Sequence, residues 1–141
     1  MALEPDELWD AGETVKPNLR AFPYEGGLLR GQLSAITGAP TLPHLTPMAY
    51  DTGNSVWNVW DNATAAIDEI GAFLWAPGEE DVVASASGEK LVQLLVRGQV
   101  HADDVPLPTT ASQTQNALDA ALVDPAVRQR GLDVRGIDGV H

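Results

Sequence analysis

The sequence predicts a mainly β fold of the α+β class: a compact antiparallel β domain with one or two C-terminal helices and an extended N-terminal arm. Three observations lead to this prediction. The middle of the chain holds short apolar runs rich in β-branched and aromatic residues, separated by turn clusters. Alanine and leucine recur at helical spacing after residue 112. Prolines and glycines are frequent in the first 44 residues.

The composition is that of an ordinary globular domain. The chain has 141 residues, of which 44% are hydrophobic and 20% charged, so it is long enough to bury a core. It contains no cysteine, which excludes disulfides, thiolate metal sites and thiol catalysis. No apolar run approaches the roughly 20 residues that a membrane-spanning helix needs.

The net charge of −12 is concentrated in the middle of the chain. Residues 45–110 carry 10 acidic and 2 basic side chains, whereas residues 1–44 carry 6 and 3, and residues 111–141 carry 4 and 3. A nucleic-acid binder needs a basic surface, and an anionic membrane repels an acidic protein. The charge therefore predicts that the protein binds neither nucleic acid nor a membrane surface.

Residues 1–44 show few signals of regular structure. Five prolines remove backbone donors from this segment, and its glycines loosen the chain further. Apolar residues still recur here more often than in a solvated linker. We therefore predict a flexible, Pro- and Gly-rich arm over residues 1–44 that finds its partner surface elsewhere. A β-rich domain with a C-terminal helical segment is predicted over residues 45–141.

Three apolar runs in the middle of the chain predict the first strands of this domain. Residues 46–50 lead into the turn cluster Asp51-Thr52-Gly53-Asn54, and residues 56–60 follow it. The two runs and the turn cluster between them predict a β-hairpin. Residues 67–75 form another apolar run and predict a further strand.

The run over residues 90–100 fits two periodicities. Three leucines between residues 91 and 95 fit helical spacing, but Gly88 and Gly98 bracket the run at the length of a strand. We predict one long strand with a bulge at Gly98.

The C-terminal region changes to a helical period. Ser112 predicts the N-cap of an alanine-rich helix. Asp124-Pro125 predicts a second helix, with an N-cap followed by proline at the first helical position, and Gly131 predicts its end. Residues 132–135 alternate in polarity and predict a short closing strand.

The triplet Asp51-Thr52-Gly53 also matches that of aspartic proteases, in which two carboxylates share a proton and activate water. One triplet per chain would require a homodimer of the retroviral type. Asn54 stands where that family usually has a small residue, and no glycine-rich flap hairpin is evident between Gly53 and Trp75. Asp and Gly are the residues that a tight turn favours, so we expect a turn here.

No other group of residues predicts catalysis, a cofactor site or a metal site. His44, His101 and His141 are far apart, and none has a second ligand one helical turn away. No nucleophile-elbow motif or phosphate-binding loop is present. We therefore expect a protein that is not an enzyme and holds no cofactor. The side chains predicted as core or subunit contacts are Pro47, Met48, Trp57 and Trp60.

Short motifs follow one another in a characteristic order in the middle of the chain. They are Leu45-Thr46-Pro47-Met48, Asp51-Thr52, Trp60-Asp61, Ile70-Gly71, Gly98-Gln99-Val100 and Asp103-Asp104-Val105. This series resembles the lambda-type head-decoration (capsid-stabilising) proteins of tailed bacteriophages. The resemblance covers roughly residues 33–105, about half of the chain. The segment before residue 45 is longer than the arm of that family, and residues beyond 106 depart from its pattern.

The resemblance implies a β-clip-like subunit that forms homotrimers at threefold positions on the expanded head. The implied partners are the major capsid protein and further copies of the chain. The implied location is the outer surface of the virion, after synthesis in the host cytoplasm. In that family the N-terminal arm extends the sheets of the shell by strand addition. The predicted anchors of this arm are Leu19, Phe22, Tyr24 and Leu28. The alternatives are the aspartic protease and another minor structural protein of the virion.

Overall fold

The computed structural model describes residues 21–77, 82–108 and 114–136. The strands are β1 (Ala21–Pro23), β2 (Leu28–Leu33), β3 (Thr41–Leu42), β4 (Pro47–Asp51), β5 (Val56–Val59), β6 (Ala72–Leu74), β7 (Val82–Val83), β8 (Lys90–Leu95), β9 (Gly98–His101) and β10 (Leu132–Arg135). Within the described residues, two 3-10 turns span Ala65–Ile67 and Ala102–Asp104, and two α-helices are present, α1 (Gln115–Leu122) and α2 (Pro125–Gln129).

Five strands close into a barrel in the order β2-β5-β4-β6-β8. Its pairings are antiparallel except that of β2 with β5, which run parallel and meet at Leu33 and Trp57. The longest pairing joins β2 to β8, from Leu28 opposite Leu95 to Leu33 opposite Lys90. Closure removes the open edges that a flat sheet of these strands would have.

The barrel wall separates two hydrophobic clusters. Inward-facing side chains form the interior cluster, and outward-facing ones form the outer cluster with the helices and the other strands. Strand β6 shows the alternation that divides them, because Ala72 and Leu74 belong to the interior cluster and Phe73 to the outer one. The core of this protein therefore has two layers that share one wall.

β3 and β7 pair outside the barrel as a two-stranded ribbon, with Thr41 opposite Val83 and Leu42 opposite Val82. Leu42 is nevertheless buried in the interior cluster, and so is Ala84, which follows β7. Because Leu42 and Ala84 do not belong to the barrel strands, their side chains enter the interior through an end of the barrel. The β3–β7 ribbon therefore covers one end of the barrel.

β1, β9 and β10 form a separate three-stranded sheet in the order β1-β9-β10. β1 runs antiparallel to β9, and β10 runs parallel to it. Ala21, Val100 and Val134 lie side by side across this sheet and are all buried in the outer cluster. Leu118 of α1 and Val127 of α2 complete that cluster. Neither described helix is long and apolar enough to cross a membrane.

The predicted fold class is confirmed, since the protein is mainly β with two helices near its C-terminal end. The predicted hairpin is β4 paired with β5. α2 begins as predicted, with Pro125 at its start and the Asp124 carboxylate accepting a hydrogen bond from the N–H of Ala126 at 3.0 Å. α1 is capped by Thr114, and the predicted cap Ser112 lies outside the described residues.

The single strand predicted over residues 90–100 is wrong. The chain leaves the barrel at Val96 and Arg97, so β8 and β9 belong to different sheets. A Cβ on Gly98 would collide with the carbonyl oxygen of Phe22. Gly98 therefore marks the close approach of β1 and β9, and not a bulge in one long strand.

The flexible arm predicted over residues 1–44 is wrong for residues 21–44, which form β1, β2 and β3. β2 is one of the five strands that form the barrel wall, and its last residue Leu33 is completely buried. Pairing with β8 and β5, both distant in sequence, outweighs the local effect of glycine and proline. Residues 1–20 lie outside the described residues. Antiparallel pairing predominates, and the parallel pairs β2–β5 and β9–β10 were not predicted.

Candidate interaction surface

β1 is an edge strand of the three-stranded sheet. It pairs with β9 on one side and, within the described residues, with no strand on the other. The chain enters β1 at Ala21, directly after residues 1–20. An edge strand presents unpaired backbone groups to which an extended chain can add, although Pro23 offers only its carbonyl at this edge.

Two aromatic side chains lie on and beside this strand. Phe22 is 38% exposed and Tyr24 is 39% exposed, and their rings meet edge to face with centroids 5.8 Å apart. The neighbouring Ala21 is buried, as the alternation of a strand with one covered face requires. Exposed aromatic groups bury a large area when they meet a partner, so this pair is suited to anchoring one.

Tyr24 is also tied to the far strand of the sheet. Its hydroxyl donates to Asp133 Oδ2 of β10 at 3.4 Å, and the Arg135 guanidinium donates to the same oxygen at 2.8 Å. The hydrogen bond from Arg135 holds the pKa of Asp133 below its ordinary value, and burial opposes this shift. Burial raises the pKa of the Tyr24 hydroxyl, and the Asp133 charge adds to that effect. These contacts fix the position of the Tyr24 ring against the sheet.

Leu28 begins β2 across the tight turn that follows Tyr24, and it is an exposed residue. The N–H of Gly27 donates to the Tyr24 carbonyl at 2.8 Å and closes that turn. Phe22, Tyr24 and Leu28 therefore belong to a folded corner between the sheet and the barrel, which we call the β1–β2 corner. Leu19, the remaining predicted anchor, lies outside the described residues.

Three of the four residues predicted as core or subunit contacts are buried in the subunit. Met48 belongs to the interior cluster, Trp60 belongs to the outer cluster, and Pro47 is buried beside Met48 in β4. Trp60 Nε1 donates to the Asp68 carbonyl at 2.9 Å. Since buried side chains are not accessible to a neighbouring subunit, these three residues serve the core of their own subunit.

Trp57, the fourth of these residues, is half-buried and reaches the surface beside Tyr50. The two rings meet edge to face with centroids 5.1 Å apart, and Tyr50 is 42% exposed. The residues are directly opposite each other in the β4–β5 hairpin, so they share one face. Sequence reasoning missed Tyr50, because its position two residues after Met48 puts it on the face of the strand that is buried at Met48.

Asp51 lies at the exposed turn of that hairpin. Its Oδ1 accepts hydrogen bonds from the N–H groups of Gly53 (3.0 Å) and Asn54 (3.3 Å), and its Oδ2 accepts one from the Asn54 amide (2.8 Å). The bond from the Asn54 side chain is the main reason why the pKa of Asp51 is lowered. A proton-sharing pair of carboxylates raises one pKa instead. The contacts of Asp51 are those of a turn that favours the ionised form.

The described histidines accept hydrogen bonds from the backbone. His101 Nδ1 accepts one from the Asp103 N–H at 3.3 Å and caps a 3-10 turn. His44 Nδ1 accepts one from the Ala76 N–H at 2.9 Å. His141 lies outside the described residues. In the part of the chain that the structure describes, no three His, Cys, Asp or Glu side chains are grouped to hold a metal ion.

The motifs that carry the family resemblance occupy structural positions in this fold. Leu45 is buried with a left-handed backbone (φ 68°), and the Thr46 hydroxyl donates to the Pro43 carbonyl at 2.7 Å. Asp61 Oδ1 accepts a hydrogen bond from the Ala63 N–H at 2.9 Å, and Ile70 is buried. These members of the series therefore have structural roles within the fold.

No protein-family model, curated protein or solved structure matches this chain.

Proposed function

We propose that this protein is a capsid decoration protein of a tailed bacteriophage. It binds the outer surface of the expanded head as trimers at threefold positions and stabilises the head against internal DNA pressure. Its partners are the major capsid protein and further copies of itself. The role requires binding and no catalysis, because a protein that binds only the expanded shell stabilises that state by mass action.

The ordered series of motifs between Leu45 and Val105 carries this proposal. Each short motif is weak alone, and the order in which they occur gives the resemblance its specificity. Leu45, Trp60 and Ile70 come from three of these motifs and are buried together in the outer cluster. These three motifs therefore contribute side chains to one core.

The edge of β1 that is unpaired among the described residues and the β1–β2 corner support attachment by strand addition. A strand of the shell that pairs with β1 gains main-chain hydrogen bonds, and Phe22, Tyr24 and Leu28 offer side-chain contacts next to it. Residues 1–20 directly precede Ala21 in the sequence, and in this proposal they extend the contact along the shell. Three such contacts in one trimer bind multivalently, so each of them needs only modest affinity.

The charge of the chain also suits an outward-facing role. A net charge of −12 repels nucleic acid and keeps the protein soluble at high local concentration on a shell. The contacts of Asp51 with its own turn give no support to the aspartic protease alternative. Another minor structural protein of the virion would differ from a decoration protein in its partner, so binding experiments separate the two.

Co-sedimentation with purified heads of the source phage tests the proposal. We expect saturable binding to expanded heads and none to unexpanded heads, with three copies at each threefold site. Equal binding to both forms, or binding to neither, would contradict the decoration role. Binding to isolated tails or connectors instead would indicate the minor structural protein.

Variants of the β1–β2 corner test the mode of attachment. The double substitution Phe22→Ser and Tyr24→Ser should weaken head binding by more than about tenfold, as expected when aromatic anchors are removed. Val123→Ser is the matched control, because Val123 is an equally exposed apolar residue on a different element. A truncation must end at residue 20, since a longer one removes β1 and then part of β2. If the control loses as much binding as the double variant, the corner is not the contact.

A further inference from the structure

His44 joins two segments that are distant in sequence. It lies in the link between β3 and β4, and its Nδ1 accepts the hydrogen bond from the N–H of Ala76, two residues after β6. The imidazole meets the Trp75 ring edge to face with centroids 5.0 Å apart, and it is half-buried. The side chain therefore acts as a backbone acceptor that ties the β3–β4 link to the exit of β6.

This contact continues a ladder of backbone hydrogen bonds. The N–H of Leu45 donates to the Leu74 carbonyl at 2.7 Å, and the N–H of Leu74 donates to the Thr46 carbonyl at 2.9 Å. The bond from Ala76 to His44 is the next connection between the same two segments. Beyond the end of β6, a titratable side chain thus replaces a carbonyl group as the acceptor.

The residue next to His44 has a strained backbone. Leu45 has a φ of 68°, in the left-handed region that leucine rarely adopts, and it is buried. Such a conformation persists where the surrounding contacts hold it in place. The hydrogen bonds on either side of Leu45 supply that restraint, so losing one of them favours a change of backbone conformation here.

The first strand of the β3–β7 ribbon leads directly to this point. β3 ends two residues before His44, and the chain that leaves Ala76 continues to β7. The ribbon covers one end of the barrel through Leu42, which is buried in the interior cluster. The bond between His44 and Ala76 therefore ties the chain just after β3 to the chain just after β6, at the base of the ribbon.

We propose that His44 is a pH-operated latch whose neutral imidazole holds the β3–β7 ribbon over the end of the barrel and whose protonation releases it. When Nδ1 binds a proton from solvent, it loses the lone pair that accepts the Ala76 hydrogen bond. Two N–H groups then face each other. The released ribbon uncovers the interior cluster at that end of the barrel.

The surroundings of His44 set the direction of the switch. Burial lowers the pKa of His44 from its ordinary 6.5, and the charge of Asp104 and the Leu74 backbone oppose this shift. Asp104 is the charged residue that faces the ring from the 3-10 turn Ala102–Asp104, while Trp75 and Ala76 from the β6 side are uncharged. The released state binds protons more tightly than the latched state, so lowering the pH through 6.5 favours release.

Amide hydrogen exchange of the intact protein between about pH 7.5 and about pH 5.5 tests the latch, in a range where ordinary carboxylates stay ionised. We expect a several-fold loss of protection at the lower pH, corrected for intrinsic exchange, for Ala76 and for Ala84, whose N–H donates to the Pro40 carbonyl at 2.9 Å across the ribbon. The backbone amides of the barrel strands, such as that of Leu94, should keep their protection against exchange. Uniform loss across the barrel, or no loss at the ribbon, would overturn the proposal.

His44→Gln is the decisive variant, because its side-chain carbonyl can accept the Ala76 hydrogen bond without titrating. It should keep the ribbon protected at both pH values, whereas His101→Gln should behave like the wild type. If His101→Gln keeps the ribbon protected at both pH values and His44→Gln behaves like the wild type, the loss of protection is due to His101. If His44→Gln does not fold, the Ala76 amide proton of the wild type is followed by NMR. The chemical shift of this amide proton must change with pH together with the signals of the His44 ring. A chemical shift that stays constant would overturn the latch.

Discussion

The indole ring of Trp57 occupies the space that a side chain at Gly31 would need. A Cβ on Gly31 would lie 2.7 Å from Trp57 Cδ1 and 2.9 Å from Leu94 Cδ1. Beside this contact, β2 and β5 meet in parallel at Leu33 and Trp57. The barrel therefore closes between β2 and β5 because residue 31 has no side chain and Trp57 fills the gap.

Gly31→Ala should destabilise the protein by about 1–3 kcal/mol, since overpacking forces the indole or the backbone to move. Urea denaturation monitored by tryptophan fluorescence measures the change in the free energy of unfolding. Gly88→Ala is the control, because a Cβ at Gly88 would meet nothing within 4 Å. We expect its effect to stay within about 0.5 kcal/mol. Equal effects of the two substitutions would refute the role of the Trp57 contact.

Elements with local signals were predictable from the sequence. The β4–β5 hairpin follows from a turn cluster whose first residue, Asp51, accepts hydrogen bonds from the two residues that close the turn. α2 follows from Asp124, which caps it, and Pro125, whose ring suits the first helical turn. In both places one or two side chains determine the local backbone, so no knowledge of distant contacts is needed.

Elements that depend on distant contacts were not predictable. β2 contains Arg30 and Gly31 and has no adjacent hairpin partner, and its strand conformation comes from pairing with β8. Phe22 and Tyr24 were predicted as anchors of a flexible arm, and the structure places them in a folded corner, where both are exposed. The contact of Tyr24 with Asp133 spans 109 positions, and the sequence gives no signal for it. The contact between these two residues was therefore not predictable from the sequence.

Trp60→Phe should destabilise the protein by about 1–3 kcal/mol, because the Asp68 carbonyl loses its donor inside the fold. The smaller ring also leaves unfilled volume in the outer cluster, where Trp60 is completely buried. Thermal and urea denaturation measure the loss. Tyr50→Phe changes an exposed aromatic residue of the same barrel and should alter stability by less than about 0.5 kcal/mol. A neutral Trp60→Phe variant would contradict the importance of the indole hydrogen bond.

Thr114→Ala should cost about 1 kcal/mol, the typical value for a lost N-cap. The Thr114 hydroxyl accepts the hydrogen bond from the Ala117 N–H at 3.1 Å and begins α1, which buries Leu118 and Leu122. Thr114→Ser keeps the accepting oxygen and should retain most of the stability. Urea denaturation compares the three proteins, and an alanine variant as stable as the serine variant would show that the cap contributes nothing.

The acid stability of the protein should depend on Asp133. Arg135, through its hydrogen bond and its charge, lowers the folded-state pKa of Asp133 from its ordinary 3.8, so the unfolded state binds a proton more readily. This contribution is present above about pH 3.8 and is lost as the pH falls through the lowered folded-state pKa. Melting temperatures of the wild type and Asp133→Asn should therefore differ most near neutral pH and converge in acid. A difference that grows in acid would contradict this.

Asp51→Asn separates the two roles considered for this residue. An asparagine keeps the side-chain oxygen that accepts from Gly53 and Asn54, so the turn and the binding to expanded heads should both persist. Asp51→Ala removes this acceptor and should lower the melting temperature while leaving head binding unchanged, because the turn is exposed and lies on another element than the β1–β2 corner. A peptidase assay runs in parallel. Hydrolysis by the wild type that disappears in Asp51→Asn would replace the decoration role with the protease.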